Sequence, residues 1–225
     1  MGFSVFVALD FAVEAIIIGA FLYGVFEIML KKGASYFKFL VCAVGCYGIA
    51  DLLRLTYYFC YGEQASVTSM FSVGYFGCFL FLYSACRGPF DSIIDDRSKS
   101  LRKYRIIPLF APVLVCVATF AAYIPVSEKL SSKQYAVIFL MNVPKFAASY
   151  FNVKHLIFPD MGYGFIKAVR PCNIFALSVY LCDIVYTYTA TVGSRIAVLI
   201  CGVVTGICFI CLMISAKRGI EKWKV

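Results

Sequence analysis

Apolar runs of about twenty residues recur along the chain, separated by short breaks rich in charge, glycine or serine. A helix needs about 20 apolar residues to cross the hydrocarbon core of a bilayer. The pattern therefore predicts spans near 3–30, 35–60, 66–86, 106–125, 134–152, 171–191 and 194–215. The breaks read KKGAS after the first run, YGEQ after the second, RGPFDSIIDDRSKSLRKYR after the third and VSEKLSSKQ after the fourth. The expectation is an all-α, seven-helix membrane bundle forming one integral membrane domain over 1–225. Pro108 and Pro171 are expected in the first turns of their helices, where the missing N–H costs nothing, and Pro125 closes the fourth span.

Composition agrees with the pattern. The 225 residues are 62% apolar and only 15% charged, with a mean hydropathy of +0.87, outside the usual soluble range. The first run lacks the basic region and cleavage site of a secretory signal, and MGFSVF has Phe6 where N-myristoylation requires Ser or Thr, so it reads as a retained span. Most of the eleven cysteines fall inside apolar runs, where Cys acts as a small hydrophobe. Cys208 and Cys211 form a CxxC within the last span, and His155, the single histidine, is placed in a loop, so no metal site or cofactor is expected.

Charge sets the orientation. Basic residues gather at Lys31–Lys38, Arg87–Arg105, Lys154–Arg170 and Lys217–Lys224, against Lys129, Lys133 and Arg195 on the other side. The positive-inside rule then puts the N-terminus outside and the C-terminus in the cytoplasm, most simply in the cell membrane. The net charge of +9 follows from this topology and does not call for nucleic acid. Ile93, Ile94, Leu101 and Tyr104 punctuate the basic 87–105 break, which could lie on anionic lipid, run as a solvated loop or dock a partner.

Laying 46–63 on 178–194 brings Asp51 onto Asp183 and Lys38 onto Arg170. The same offset superposes spans one to three on five to seven, giving repeats 3–86 and 134–215 joined by span 106–125. This 3+1+3 arrangement is similar to sugar- and vitamin-transporter folds built from triple-helix repeats, in architecture and without any shared motif. The resemblance implies a substrate site at the repeat interface near the midplane.

Ionisable groups inside the spans carry the candidate chemistry, because each costs about 2.5–3.5 kcal/mol at a span centre. Asp10 and Glu14 lie in span one, Asp51 and Arg54 in span two, Lys145 in span five and Asp183 in span six. Residues three or four apart share a helix face. Tyr47, Asp51, Arg54 and Tyr58 form one stripe, Asn142, Lys145, Ser149 and Asn152 a second, and Asn173, Tyr180, Asp183 and Thr187 a third. At about 1.5 Å per residue, Lys145 and Asp183 both fall near the midplane. Pro144 cannot donate to the Leu140 carbonyl and places Lys145 at an expected kink. Glu27 and Lys31 are spaced for a surface pair.

Two readings of these charges compete. In one, Lys145 and Arg54 only neutralise Asp51 and Asp183. In the other, four carboxylates facing two bases supply a binding or proton-coupling site formed by Lys145, Asp183, Asp51, Arg54, Glu14, Asp10, Asn142, Tyr180 and Tyr47. A Schiff-base lysine fits poorly, since the only Trp, Trp223, is in the tail and span seven has no lysine. No GxSxG or HExxH pattern points to an enzyme, although an Asp51 and Asp183 pair could serve an intramembrane one. The sequence favours a small-molecule transporter, with a receptor or sensor that signals through a cytoplasmic partner as the alternative. Gly202 and Gly206 form a GxxxG suited to close helix packing, inside the bundle or in a homodimer.

Overall fold

The computed structural model describes residues 5–31, 34–62, 70–87, 91, 95, 98–159 and 165–223. Among these there are eight α-helices and no strand. We number them α1 (Val5–Gly24, continued as a π-helix over Val25–Met29), α2 (Ser35–Tyr61), α3 (Phe71–Arg87), α4 (Arg102–Ile106), α5 (Phe110–Ala121), α6 (Ser132–Ile157), α7 (Phe165–Val192) and α8 (Arg195–Trp223). Six segments are long and apolar enough to cross a membrane, the one at Lys99–Ala121 combining α4 and α5 with short 3-10 turns. The remaining helix, α3, has 17 residues; the start of its expected span, 66–69, lies outside the described residues.

The helix ends follow local chemistry. The Ser131 side chain accepts from the Gln134 amide at 3.3 Å, and the Gln134 side chain accepts from the Ser131 amide at 2.8 Å. This reciprocal cap starts α6. Gly62 ends α2 at φ 71°, and its N–H donates to the Tyr58 carbonyl at 2.8 Å; such a left-handed cap favours glycine. Several expectations need correction here. Pro171 is inside α7, not in its first turn, because the helix begins at Phe165. His155 belongs to the last turn of α6 and is buried, not in a loop. His155 is covered inside the bundle at the end of α6, and α7 begins before Pro171 because Ile166, Ala168 and Val169 are buried there.

Helices α1, α2, α3, α6, α7 and α8 pack each on the next, and α8 returns to α1, closing a ring of six. Helix α5 stands outside it, packed on α6 and touching α7. Two close approaches come from small residues: a Cβ on Gly74 would meet Ala50 Cβ at 2.6 Å, and Gly202 and Gly206 face Val13 and Ile16 of α1. The GxxxG therefore packs α8 on α1 within the chain. Outward, the bundle exposes Phe110, Val113, Leu114 and Val117 on α5 and Ile196, Ile200 and Ile207 on α8. Apolar faces of this extent need lipid around them, while Lys145, Asn152 and Asn173 are buried inside.

Candidate functional site

Glu14, Asp51 and Lys145 enter the ring from α1, α2 and α6 and are buried, while Asp183 on α7 is partly so. Lys145 is 1% exposed; its Nζ donates to Asp183 Oδ2 at 2.8 Å and lies 5.1 Å from the centre of the Phe79 ring. Asp51 accepts from Arg54 Nε at 2.7 Å and from the Tyr75 hydroxyl at 2.8 Å. The Arg54 guanidinium covers the Tyr186 ring at 5.3 Å. These two ion pairs are the ones the spacing allowed.

Glu14 differs. It is 2% exposed and neither carboxyl oxygen has a hydrogen-bond partner. Its polar neighbour is Asp51, and Gly48 faces it, where an added Cβ would sit 3.4 Å from Oε1. An unpaired carboxylate buried in this way is costly enough to stay protonated or to require a cation. Asp10, one turn nearer the N-terminus of α1, is half-buried in the field of Arg54, Asp51 and Arg195.

The remaining predicted residues divide. Tyr180 accepts from Asn152 Nδ2 at 2.8 Å and meets the Phe79 ring edge-on at 5.8 Å, and the Tyr47 ring packs 5.1 Å from Tyr75 and 5.0 Å from Phe209. Asn142 is drawn away from the cluster, because its amide donates to its own helix at the Ile138 carbonyl, 2.8 Å. Tyr58 sits in the last turn of α2 and accepts from Arg195 at 3.2 Å.

Several participants carried no signal of their own. Beyond Tyr180, Asn152 accepts from the Cys86 thiol at 2.8 Å, and Asn173 accepts from the Tyr36 hydroxyl at 3.3 Å. Asn173 Nδ2, fully buried, has no partner. These residues extend the polar centre toward the basic end of the bundle. Asn152 and Asn173 were on predicted stripes; Tyr75, Cys86 and Tyr36 looked like ordinary core residues.

A second charged cluster was missed. Lys154, 3% exposed, donates to Asp91 at 2.7 Å and pairs with Asp95 at 2.9 Å. Arg105 Nε also pairs with Asp95 at 2.9 Å, and its other arm donates to the Ser98 carbonyl at 2.6 Å. His155 Nε2 lies 3.4 Å from Asp91. Burial acts to raise the Asp91 carboxyl, but hydrogen bonds from His155 and Lys154 outweigh it and hold the group below its ordinary value. The cluster ties the 87–105 segment to α6. Ile93 and Ile94, part of its expected lipid-facing set, lie outside the described residues. Glu27 pairs with Lys31 at 2.6 Å, as its spacing predicted, and also with Lys217 of α8 at 2.9 Å.

The apolar outside and charged inside together define a helical, multi-pass membrane protein with a buried polar centre. No family model matches the chain, and neither a curated protein nor a solved structure does.

Proposed function

We propose that the chain is a seven-span small-molecule transporter with a mid-membrane polar site, coupled to protons through Glu14. The single observation that carries this reading is a buried glutamate without a hydrogen-bond partner beside two ion pairs. Counting α3 as a span rests on its place in the ring between α2 and α6. The basic-end charge bias supports an external N-terminus and a cell-membrane location. In this reading the protein is not an enzyme.

The proposed roles follow from the pairs. An anionic group of the substrate takes Lys145 from Asp183, or a cationic group takes Asp183 from Lys145, while Glu14 binds or releases a proton. Asp51 is held by Arg54 and Tyr75 and sets the field around Glu14, with Asp10 toward the outside; Tyr47 and Tyr180 wall the site. Glu14, Lys145 and Tyr180 are almost fully buried, so transport requires the helices to part. Division into 3–86 and 134–215 would place that opening at the α3–α6 and α8–α1 seams. The ring contacts support this, since the two seams are equivalent under such a repeat.

A thermal-shift screen of purified protein against metabolites at two pH values tests the reading. A ligand at a hundredfold excess over its dissociation constant stabilises by about 2.7 kcal/mol. It is expected to stabilise the parent but not Lys145→Met, and in vesicles to drive proton uptake that Glu14→Gln abolishes. Failure of every metabolite to stabilise the parent, with Lys145→Met melting far lower, would reduce Lys145 to a counter-charge.

One observation favours a sensor instead. Lys145 beside Pro144 and Lys154 bound to Asp91 and Asp95 share α6, so a ligand that shifts the helix at its centre would move the 87–105 segment. That reading predicts a stable partner at the basic face in a pull-down, without solute movement in vesicles.

A further inference from the structure

The Pro171 ring lies inside α7 and cannot donate the usual hydrogen bond four residues back, so the helix cannot close normally around it. Across from it, Gly219 brings α8 close: an added Cβ would come 2.6 Å from the Phe37 ring and 3.3 Å from the Ala168 carbonyl. Between the two helices is a cavity of about 140 Å³ whose polar lining comes from Lys167, Ser215, Arg218 and Lys222. Among the described residues no carboxylate lines it.

The charges converge in a way that folding alone does not favour. Ser215, Arg218 and Lys222 follow one face of α8, and like charges at i and i+4 repel. The adjacent Lys217 is neutralised by Glu27, whereas no ion pair involves Arg218 or Lys222 among the described residues. The opening turn of α7, which begins at Phe165, adds the positive end of a helix dipole at Lys167.

We propose that this cavity binds a phosphate group, that of an anionic phospholipid at the basic face of the bundle. Arg218 offers a planar fork that matches phosphate oxygens, Lys167 and Lys222 supply point charges and Ser215 a hydroxyl donor. A lipid source follows from position. The cavity lies at the ends of two membrane-length helices, and basic pockets between such helices take anionic headgroups. One turn further into the bundle from Pro171, Ile174 is 51% exposed and extends an apolar strip for an acyl chain.

The test is binding to the intact protein in neutral detergent, read by native mass spectrometry and thermal shift. The probes are dioleoyl phosphatidylglycerol, dioleoyl phosphatidylcholine and inorganic phosphate, and the proteins are the parent, Arg218→Gln/Lys222→Gln and Lys217→Gln. Phosphatidylglycerol is expected to bind the parent and Lys217→Gln alike, and the double variant at least about tenfold more weakly, the loss of one charge-assisted hydrogen bond. Inorganic phosphate binding as tightly as the lipid would keep the phosphate site and overturn its lipid source. Equal binding of both lipids by the parent, or equal phosphatidylglycerol binding by parent and double variant, overturns the proposal. Arg218 and Lys222 are exposed, so their substitution leaves the packing of α8 in place, while Lys217→Gln removes a charge paired with Glu27 outside the cavity.

Discussion

Lys145 and Lys154 occupy the same helix about two and a half turns apart, are buried to nearly the same degree, and pair with aspartates at nearly the same distance. Their surroundings differ. Lys145 faces the single carboxylate of Asp183 across the centre of the ring, with an aromatic face on its other side. Lys154 sits at the basic end and holds two carboxylates, which His155 and Arg105 share. An isolated pair in the centre has no substitute for a missing partner, whereas a network near the surface redistributes charge.

That contrast is broken most sharply by Lys145→Met. Removing one member of a buried pair typically costs about 3–5 kcal/mol, because the other charge stays behind. Lys145→Met is expected to lose that much in thermal or denaturant unfolding, and Lys145→Met/Asp183→Leu to recover most of it. A single variant as stable as the parent would mean that Asp183 does not need Lys145. In the transporter reading the double variant folds but no longer binds ligand, which separates the stability of the pair from its use.

Lys154→Met should cost less, about 1–3 kcal/mol. Asp91 is 26% exposed, so water screens it once the ammonium is gone, and Arg105 remains on Asp95. If the two lysine variants lost equal stability in parallel melts, the distinction between pair and network would fail.

How far these sites were legible depends on their sequence surroundings. Lys145 stands out because Met141–Phe151 is otherwise nearly free of charge, so the bilayer argument found it, along with Asp183, Asp51, Arg54 and Glu14. Lys154 is followed by His155 and precedes a basic stretch, so the same argument assigned it to water. Nothing local says that Asp91 and Asp95, distant in sequence, fold back on it. Pro171 misled in a related way: a proline opening an apolar run resembles a first turn, but α7 starts earlier through Lys167 and Arg170. Arg170 donates to the Phe158 carbonyl at 2.7 Å, a partner that periodicity does not reveal. The ring was not legible either, since hydropathy counts spans without ordering them.

The network end can be sharpened by pH. Because the Asp91 carboxyl is held below its ordinary value in the folded chain, the unfolded chain binds the proton more readily. Its contribution is therefore full above about pH 4 and is lost as pH falls through the lowered value. Asp91→Asn is expected to cost about 1 kcal/mol or less at neutral pH. The melting-temperature difference between parent and variant should hold steady down to about pH 4 and shrink below it. A difference independent of pH would mean that the Asp91 charge is not what Lys154 and His155 hold.

The smallest effect falls on the residue that the stripe assigned to the site and the fold withdrew from it. Asn142 is one turn from Lys145, but its amide is occupied by the Ile138 carbonyl, a local bond that competes with helix geometry rather than joining helices. Asn142→Ala should change stability by only about 0.5 kcal/mol and leave the Lys145–Asp183 pair intact. The additive behaviour of Asn142→Ala with Lys145→Met in a double-mutant cycle checks this, since groups in one network couple by about 0.5–3 kcal/mol. Coupling in that range would return Asn142 to the site and extend the central pair into a network like the one around Lys154.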